Sequence, residues 1–185
     1  MDKNQLEETR FDYLSLNNGK RISILEPEQD TMDIITIANS LSNLCRFMGQ
    51  VNDFYSVAQH SVMVSHLVPT QHAYAGLMHD ATEAFCGDLV KPIKQKLPEY
   101  SVIEERMWNA LRQRYNLPMA LPSSVHVADR IMVKTESRDL QTGDIWKSWY
   151  PDFQPLPFPI IPLLPKDAFT LFLARHAELT GEPCE

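Results

Sequence analysis

The period of hydrophobic and polar positions changes once along this chain, near residue 33. Before it, Phe11-Asp12-Tyr13-Leu14-Ser15-Leu16 and Lys20-Arg21-Ile22-Ser23-Ile24-Leu25 alternate on either side of Asn17-Asn18-Gly19, the pattern of two short strands joined by a tight turn. A β-hairpin is expected over residues 11–25, with Pro27 closing it. From Asp33 onward, apolar residues recur at three- and four-residue intervals over 33–47, 56–68, 71–86, 101–115 and 123–141, which predicts five main helices. Residues 151–165 then carry six prolines among Phe153, Leu156, Phe158, Ile160, Ile161, Leu163 and Leu164. That composition is extended yet too apolar for a solvated linker, so it should pack along the helical body or on a neighbouring subunit. A last helix is expected over 166–179. The fold class that follows is mainly all-α: one helical bundle, core over 33–141, with a small N-terminal hairpin and a proline-rich C-terminal extension.

Composition narrows the class. At 185 residues the chain suits one domain. No apolar run approaches the roughly 18 residues of a membrane span, and the polar start Met1-Asp2-Lys3-Asn4-Gln5 lacks a signal-type core, so a cytoplasmic protein is expected. Cys45, Cys86 and Cys184 make no Cys-x-x-Cys pair, which speaks against a disulfide framework or a zinc ribbon. A formal net charge of -7 gives no general attraction for duplex nucleic acid, so a polyanionic substrate would need local positive charge, for which a bound cation is the simplest source.

Candidate chemistry lies on three of the helices. His60 shares a helix face with Val57, Ser61, Val64 and Val68, which turns it inward. His79, Asp80 and Glu83 fall within an arc of about 100° on the next helix, and Asp80 shares its face with the small residues Ala73, Gly76 and Ala84. Asp129 interrupts the apolar stripe Val125, Asp129, Met132. Each has a plain alternative: a hydrogen-bonded core histidine for His60, a salt bridge to Arg130 or another base for Asp129. Together, two imidazoles and two carboxylates would offset a divalent ion and leave two octahedral positions open.

Tyr55-Ser56-Val57-Ala58-Gln59-His60, then His79-Asp80-Ala81-Thr82-Glu83, then Ala128-Asp129-Arg130 resemble the ordered H...HD...D signature of the HD-domain phosphohydrolases. The stretch from His79 to Lys94 is similar to the 5'-deoxynucleotidases and to the phage dATP triphosphohydrolases. The resemblance implies one divalent metal (manganese, cobalt, iron or zinc, with magnesium also permitted) held by His60, His79, Asp80 and Asp129. It implies that Glu83 orients or deprotonates the attacking water, and that Arg46, Phe47, Asp88 and Lys94 contact the nucleotide. Lys91 adds a second cation in the loop after the ligand helix. Phe47 stands where the deoxynucleotidases have tryptophan, which removes an indole donor. Glu136, one or two turns beyond Asp129, is a candidate brace for Arg46 or for a ligand. His66, His72, His126 and His176 lie outside the motif and are expected at the surface or in local hydrogen bonds, which leaves a mononuclear centre.

The expected function is hydrolysis of deoxynucleotides, foremost a dATP or dNTP phosphohydrolase of phage type. The alternatives are a 5'-deoxynucleotidase acting on monophosphates and an idle nucleotide-binding module. The expected partners are a small-molecule deoxynucleotide and further copies of the chain, with no membrane.

Overall fold

The computed structural model describes residues 12–182, so Phe11 of the expected hairpin and Cys184 lie outside it. Strands β1 (Tyr13–Ser15) and β2 (Arg21–Ser23) pair antiparallel with Leu14 opposite Ile22. The turn between them docks on the first helix. Asn18 Nδ2 donates to Asp33 Oδ2 and to Thr36 Oγ1, both at 2.9 Å, while Asp33 caps that helix by accepting from the Thr36 N–H at 2.8 Å.

Eight α-helices follow among the described residues. They are α1 (Ile34–Asn43), α2 (Val57–Leu67), α3 (Ala73–Leu77), α4 (Glu83–Cys86), α5 (Lys91–Lys94), α6 (Pro98–Arg114), α7 (Ser123–Leu140) and α8 (Pro165–Thr180). The protein is therefore mainly helical with one small hairpin. Proline occupies the first turn of α6 and α8, where its missing N–H costs nothing. Helix α2 is central: eight of its eleven residues are buried, and it contributes to both hydrophobic clusters. One cluster joins Ile22 and Met32 to α1, α4, α6 and α8; the other joins α2, α3 and α7 to Tyr55 and Ile160.

Two expected helices end differently from their sequence pattern. The helix expected over 33–47 stops at Asn43, because Leu44 and Cys45 turn extended and pair with the chain entering α2. The Arg46 N–H donates to the Tyr55 carbonyl at 2.9 Å and the Val57 N–H to the Leu44 carbonyl at 3.1 Å. Arg46 is therefore carried into the interior by a bridge rather than left at a helix end, and Phe47 and Met48 both adopt left-handed backbone. The helix expected over 71–86 is broken into α3 and α4. Between them the Ala81 and Glu83 N–H groups reach back only three residues, to the Met78 and Asp80 carbonyls. His79 Nδ1 bonds the Gly76 carbonyl at 2.8 Å, which withdraws that acceptor from a continuing α-helix. Gly76 is required where it is: a Cβ there would sit 3.1 Å from Ser65 Cα and 3.2 Å from Val68 Cγ2, so α3 crosses α2 almost backbone to backbone.

The proline-rich segment wraps α7 and returns to α2. Arg138 donates to the Leu156 and Phe158 carbonyls, Asp139 accepts from the Ile160 N–H, and Gln59 both donates to the Ile161 carbonyl and accepts from the Leu163 N–H. Backbone that proline bars from regular pairing is thus satisfied by side chains. No helix among the described residues is long and apolar enough to cross a membrane.

Candidate metal centre

His60 projects from the middle of α2, His79 and Asp80 from the turn between α3 and α4, and Asp129 from the first half of α7. His60 Nε2 lies 3.3 Å from His79 Nε2, 3.3 Å from Asp129 Oδ1 and 3.6 Å from Asp80 Oδ2. Asp80 Oδ2 is 3.2 Å from His79 Nε2. The donor atoms of His60, His79 and Asp129 all lie within 4.8 Å of one another, a span that one ion can bridge. Asp129 pairs with His60, while the neighbouring Arg130 turns away from it toward Tyr150 and Phe153.

The far side of each imidazole is engaged. His60 Nδ1 meets Glu136 Oε1 at 2.5 Å, and His79 Nδ1 meets the Gly76 carbonyl at 2.8 Å. A carbonyl cannot donate, so His79 Nδ1 carries the hydrogen and its Nε2 can present a lone pair to the centre. Glu136 has no exposure, and its other oxygen accepts from Arg46 Nε at 3.2 Å; Arg46 also reaches Asp80 Oδ2 at 3.4 Å. Glu136 therefore braces both Arg46 and a ring of the centre.

The field at the centre favours positive charge. Burial and the Arg46 charge oppose protonation of His60, but Glu136 and Asp129 outweigh them and raise the imidazole to about 9. Burial also works against charge on Asp80, yet His79, His60 and Arg46 hold it far below the usual carboxylate range. Burial likewise opposes the charge on Asp129, and its bond to His60 prevails and keeps the group low. Glu83 behaves oppositely. Burial, reinforced by Asp80 and Asp88, pushes its carboxyl well above the usual range, and its Oε2 has no hydrogen-bond partner among the described residues.

A cleft of about 770 Å³ opens onto the centre. Arg46, Phe47, Asp80, Glu83, Asp88, Lys91, Lys94 and Asp129 all line it, while His60 and His79 are not among its lining residues. Their states differ from expectation in three places. Arg46 is buried and tied to two carboxylates. Lys94 is paired with Glu104 Oε1 at 2.5 Å and lies over the Tyr100 ring. Lys91 begins the short helix α5 rather than lying in a loop.

Trp149, Tyr150, Arg130 and His126 also line the cleft, and sequence reasoning did not assign them to it. His126 precedes Asp129 by one turn of α7 and Arg130 follows it directly, a signal that was present; Trp149 and Tyr150 reach the cleft only through the path of the chain after α7. Trp149 stacks on Phe47 with ring centroids 6.3 Å apart. Of the remaining histidines, His66 is exposed and His72 bonds Ser124. His176 is buried, not at the surface, because α8 turns it between the rings of Tyr74 and Tyr115.

No protein-family model matches the chain. It is 41% identical over 172 residues to the uncharacterized protein YfdR of Escherichia coli K12, covering 91% of this chain and 96% of that protein. The chain belongs to the YfdR family. The uncharacterized protein RCAP_rcc00048 of Rhodobacter capsulatus is 30% identical over 137 residues, covering 66% of this chain and 70% of that one. The match to YfdR spans nearly the whole of both chains rather than a short motif.

Chemically, this family member brings two imidazole nitrogens and the Asp129 carboxylate together as a group that could hold an ion, with Asp80, the buried Glu83 and several cations lining the adjoining cleft. Mixed imidazole and carboxylate donors suit divalent ions of the manganese-to-zinc series.

Proposed function

We propose that the protein is a divalent-metal-dependent phosphohydrolase of deoxynucleotides, foremost of deoxynucleoside triphosphates. The observation that carries the proposal is the pair of imidazoles whose Nε2 atoms converge at 3.3 Å beside Asp80 and Asp129 while their Nδ1 atoms are held from behind by Glu136 and Gly76. With Glu136 and the Gly76 carbonyl behind the two rings, each Nε2 is turned toward Asp80 or Asp129, and a cation among them would take the place of a proton between the same donors; the donor set therefore fits the ion. A divalent ion held there would supply Lewis acidity toward a phosphoryl group.

The chain's own residues do the rest. Arg46, immobilised by Glu136 and Asp80, holds a fixed positive charge at the floor of the cleft and stabilises developing negative charge without reorganising. Glu83, in its ionised form, accepts a proton from the attacking water and returns it to the leaving oxygen. Asp88 and Lys94 border the nucleotide, and Phe47 with Trp149 forms an apolar wall for a base. The likeness of His60, His79-Asp80 and Asp129 to the HD-domain signature supports the same reading.

The test is phosphate release from a panel of dNTPs, NTPs and dNMPs with manganese, cobalt or magnesium, products separated, alongside metal analysis. Glu83→Gln should bind metal as the parent does and lose about 100-fold or more in turnover. Full turnover by that variant, or no metal-dependent release from any nucleotide, would overturn the proposal.

A further inference from the structure

The cations around the cleft are not equivalent. Arg46 is neutralised by Glu136 and Asp80, and Lys94 by Glu104. Among the described residues, no carboxylate pairs with Arg130 or Lys91, although both are exposed and line the cleft. They come from different helices: Lys91 from α5, Arg130 from α7 directly after Asp129.

Arg130 is also held in place. Its guanidinium lies 5.8 Å from the ring centroids of both Tyr150 and Phe153, which pack edge to face on each other at 6.4 Å. Tyr150 is fixed in turn: its backbone is left-handed at φ 46°, and its carbonyl accepts from Lys134 Nζ at 3.3 Å, a lysine buried on the same helix as Arg130. Aromatic faces steer a guanidinium without consuming its N–H donors, so all of them remain available to an anion.

On the reading of the site given above, we infer that Arg130, with Lys91 of α5, clamps the outer phosphates of a polyphosphate chain whose reacting phosphoryl group sits at the His60, His79, Asp129 centre. This makes Arg130 a substrate-binding residue that selects tri- and diphosphates over monophosphates. Lys134 acts through Tyr150 as its positioning residue.

The experiment titrates the full chain, in buffer with manganese in excess over the polyanion, with inorganic tripolyphosphate and separately with orthophosphate, and measures bound metal in parallel. Arg130→Gln should weaken tripolyphosphate binding by about tenfold or more and leave orthophosphate within about twofold, as expected for loss of a charged hydrogen-bond donor that a single phosphate does not reach. Arg130→Lys should recover part of the loss. Thermal unfolding separates a misfolded variant from a folded one, and Arg114→Gln, away from the cleft, serves as the charge control. Unchanged tripolyphosphate binding by Arg130→Gln overturns the inference and leaves the metal-dependent hydrolase standing. An equal loss for both anions overturns it too, since Arg130 would then be acting on Asp129 and the ion. A parent protein that binds manganese but neither anion sinks both readings. Tripolyphosphate binding that needs Arg130 but no metal retains the clamp and removes the metal-dependent mechanism.

Discussion

Glu136 divides its carboxylate between His60 Nδ1 and Arg46 Nε, so one buried side chain orients a ring of the metal-capable group and the cation beside it. Burial opposes its charge, but Arg46 and His60 hold its carboxyl below the ordinary value, so it remains an anion where an anion is needed. Replacing it by glutamine keeps the shape and removes the charge. Glu136→Gln should lower affinity for manganese or cobalt by about 10- to 100-fold, the usual effect of losing a partner behind a ligand histidine. Titration of metal against protein, with folding checked by circular dichroism, measures it; a change of less than twofold would show that Glu136 does not tune the centre. At this scale the sequence was informative about inward direction. His60 lies in the same buried stripe as Val57, Ser61 and Val64, as the helical period requires. It could not show that the ammonium of Lys94 is spent on Glu104, because a pairing across two helices is decided by their packing.

The capping and strapping of helices depend on two carboxylates far from the cleft. Asp33 caps α1, and Asp139 near the end of α7 holds Arg138 and the Ile160 N–H of the proline-rich strap. Burial opposes ionisation of each. For Asp33 the Thr36 and Asn18 bonds outweigh it, for Asp139 the Arg138 and Ile160 bonds, so both carboxyls sit below their ordinary value. A depressed folded value means that the stabilisation is complete above the unfolded value of about 4 and disappears as pH falls through the folded value. Asp139→Asn should therefore unfold at lower urea than the parent at pH 7, and the gap should shrink progressively below about pH 4 as the parent's own carboxylate is protonated. A gap that stays constant from pH 7 to pH 3 would refute this account of the strap. Period alone also misjudged two elements. The pattern of 71–86 is helical throughout, but the His79 bond to Gly76 and the close crossing at Ser65 accompany a break in the helix at His79 and Asp80.

Across the whole molecule, the centre brings together α2, the α3–α4 turn and α7, which carry candidate ligands as far apart in sequence as His60 and Asp129. An ion that binds only the folded chain stabilises it by mass action, by about 2.7 kcal/mol at a hundredfold excess over its dissociation constant. Manganese, cobalt or zinc should thus raise the unfolding temperature by several degrees, EDTA should reverse the rise, and His60→Ala should abolish it. Scanning calorimetry with and without the ion decides the matter; an equal rise in His60→Ala would place the ion elsewhere.

What the sequence by itself determined is whatever a few neighbouring residues control. That covers the helical period from residue 33, the hairpin at Asn18-Gly19, and the inward faces that carry His60 and the acidic interruption at Asp129. Only the tertiary structure decided where the α1 pattern stops, which cations are paired with carboxylates among the described residues, and that Trp149 and Tyr150 line the cleft. Turn, cap and helix energies act over three or four residues, and their signals are written locally. The Arg46–Glu136 pair spans 90 residues, and a buried charge takes whichever partner the packing of distant helices brings to it.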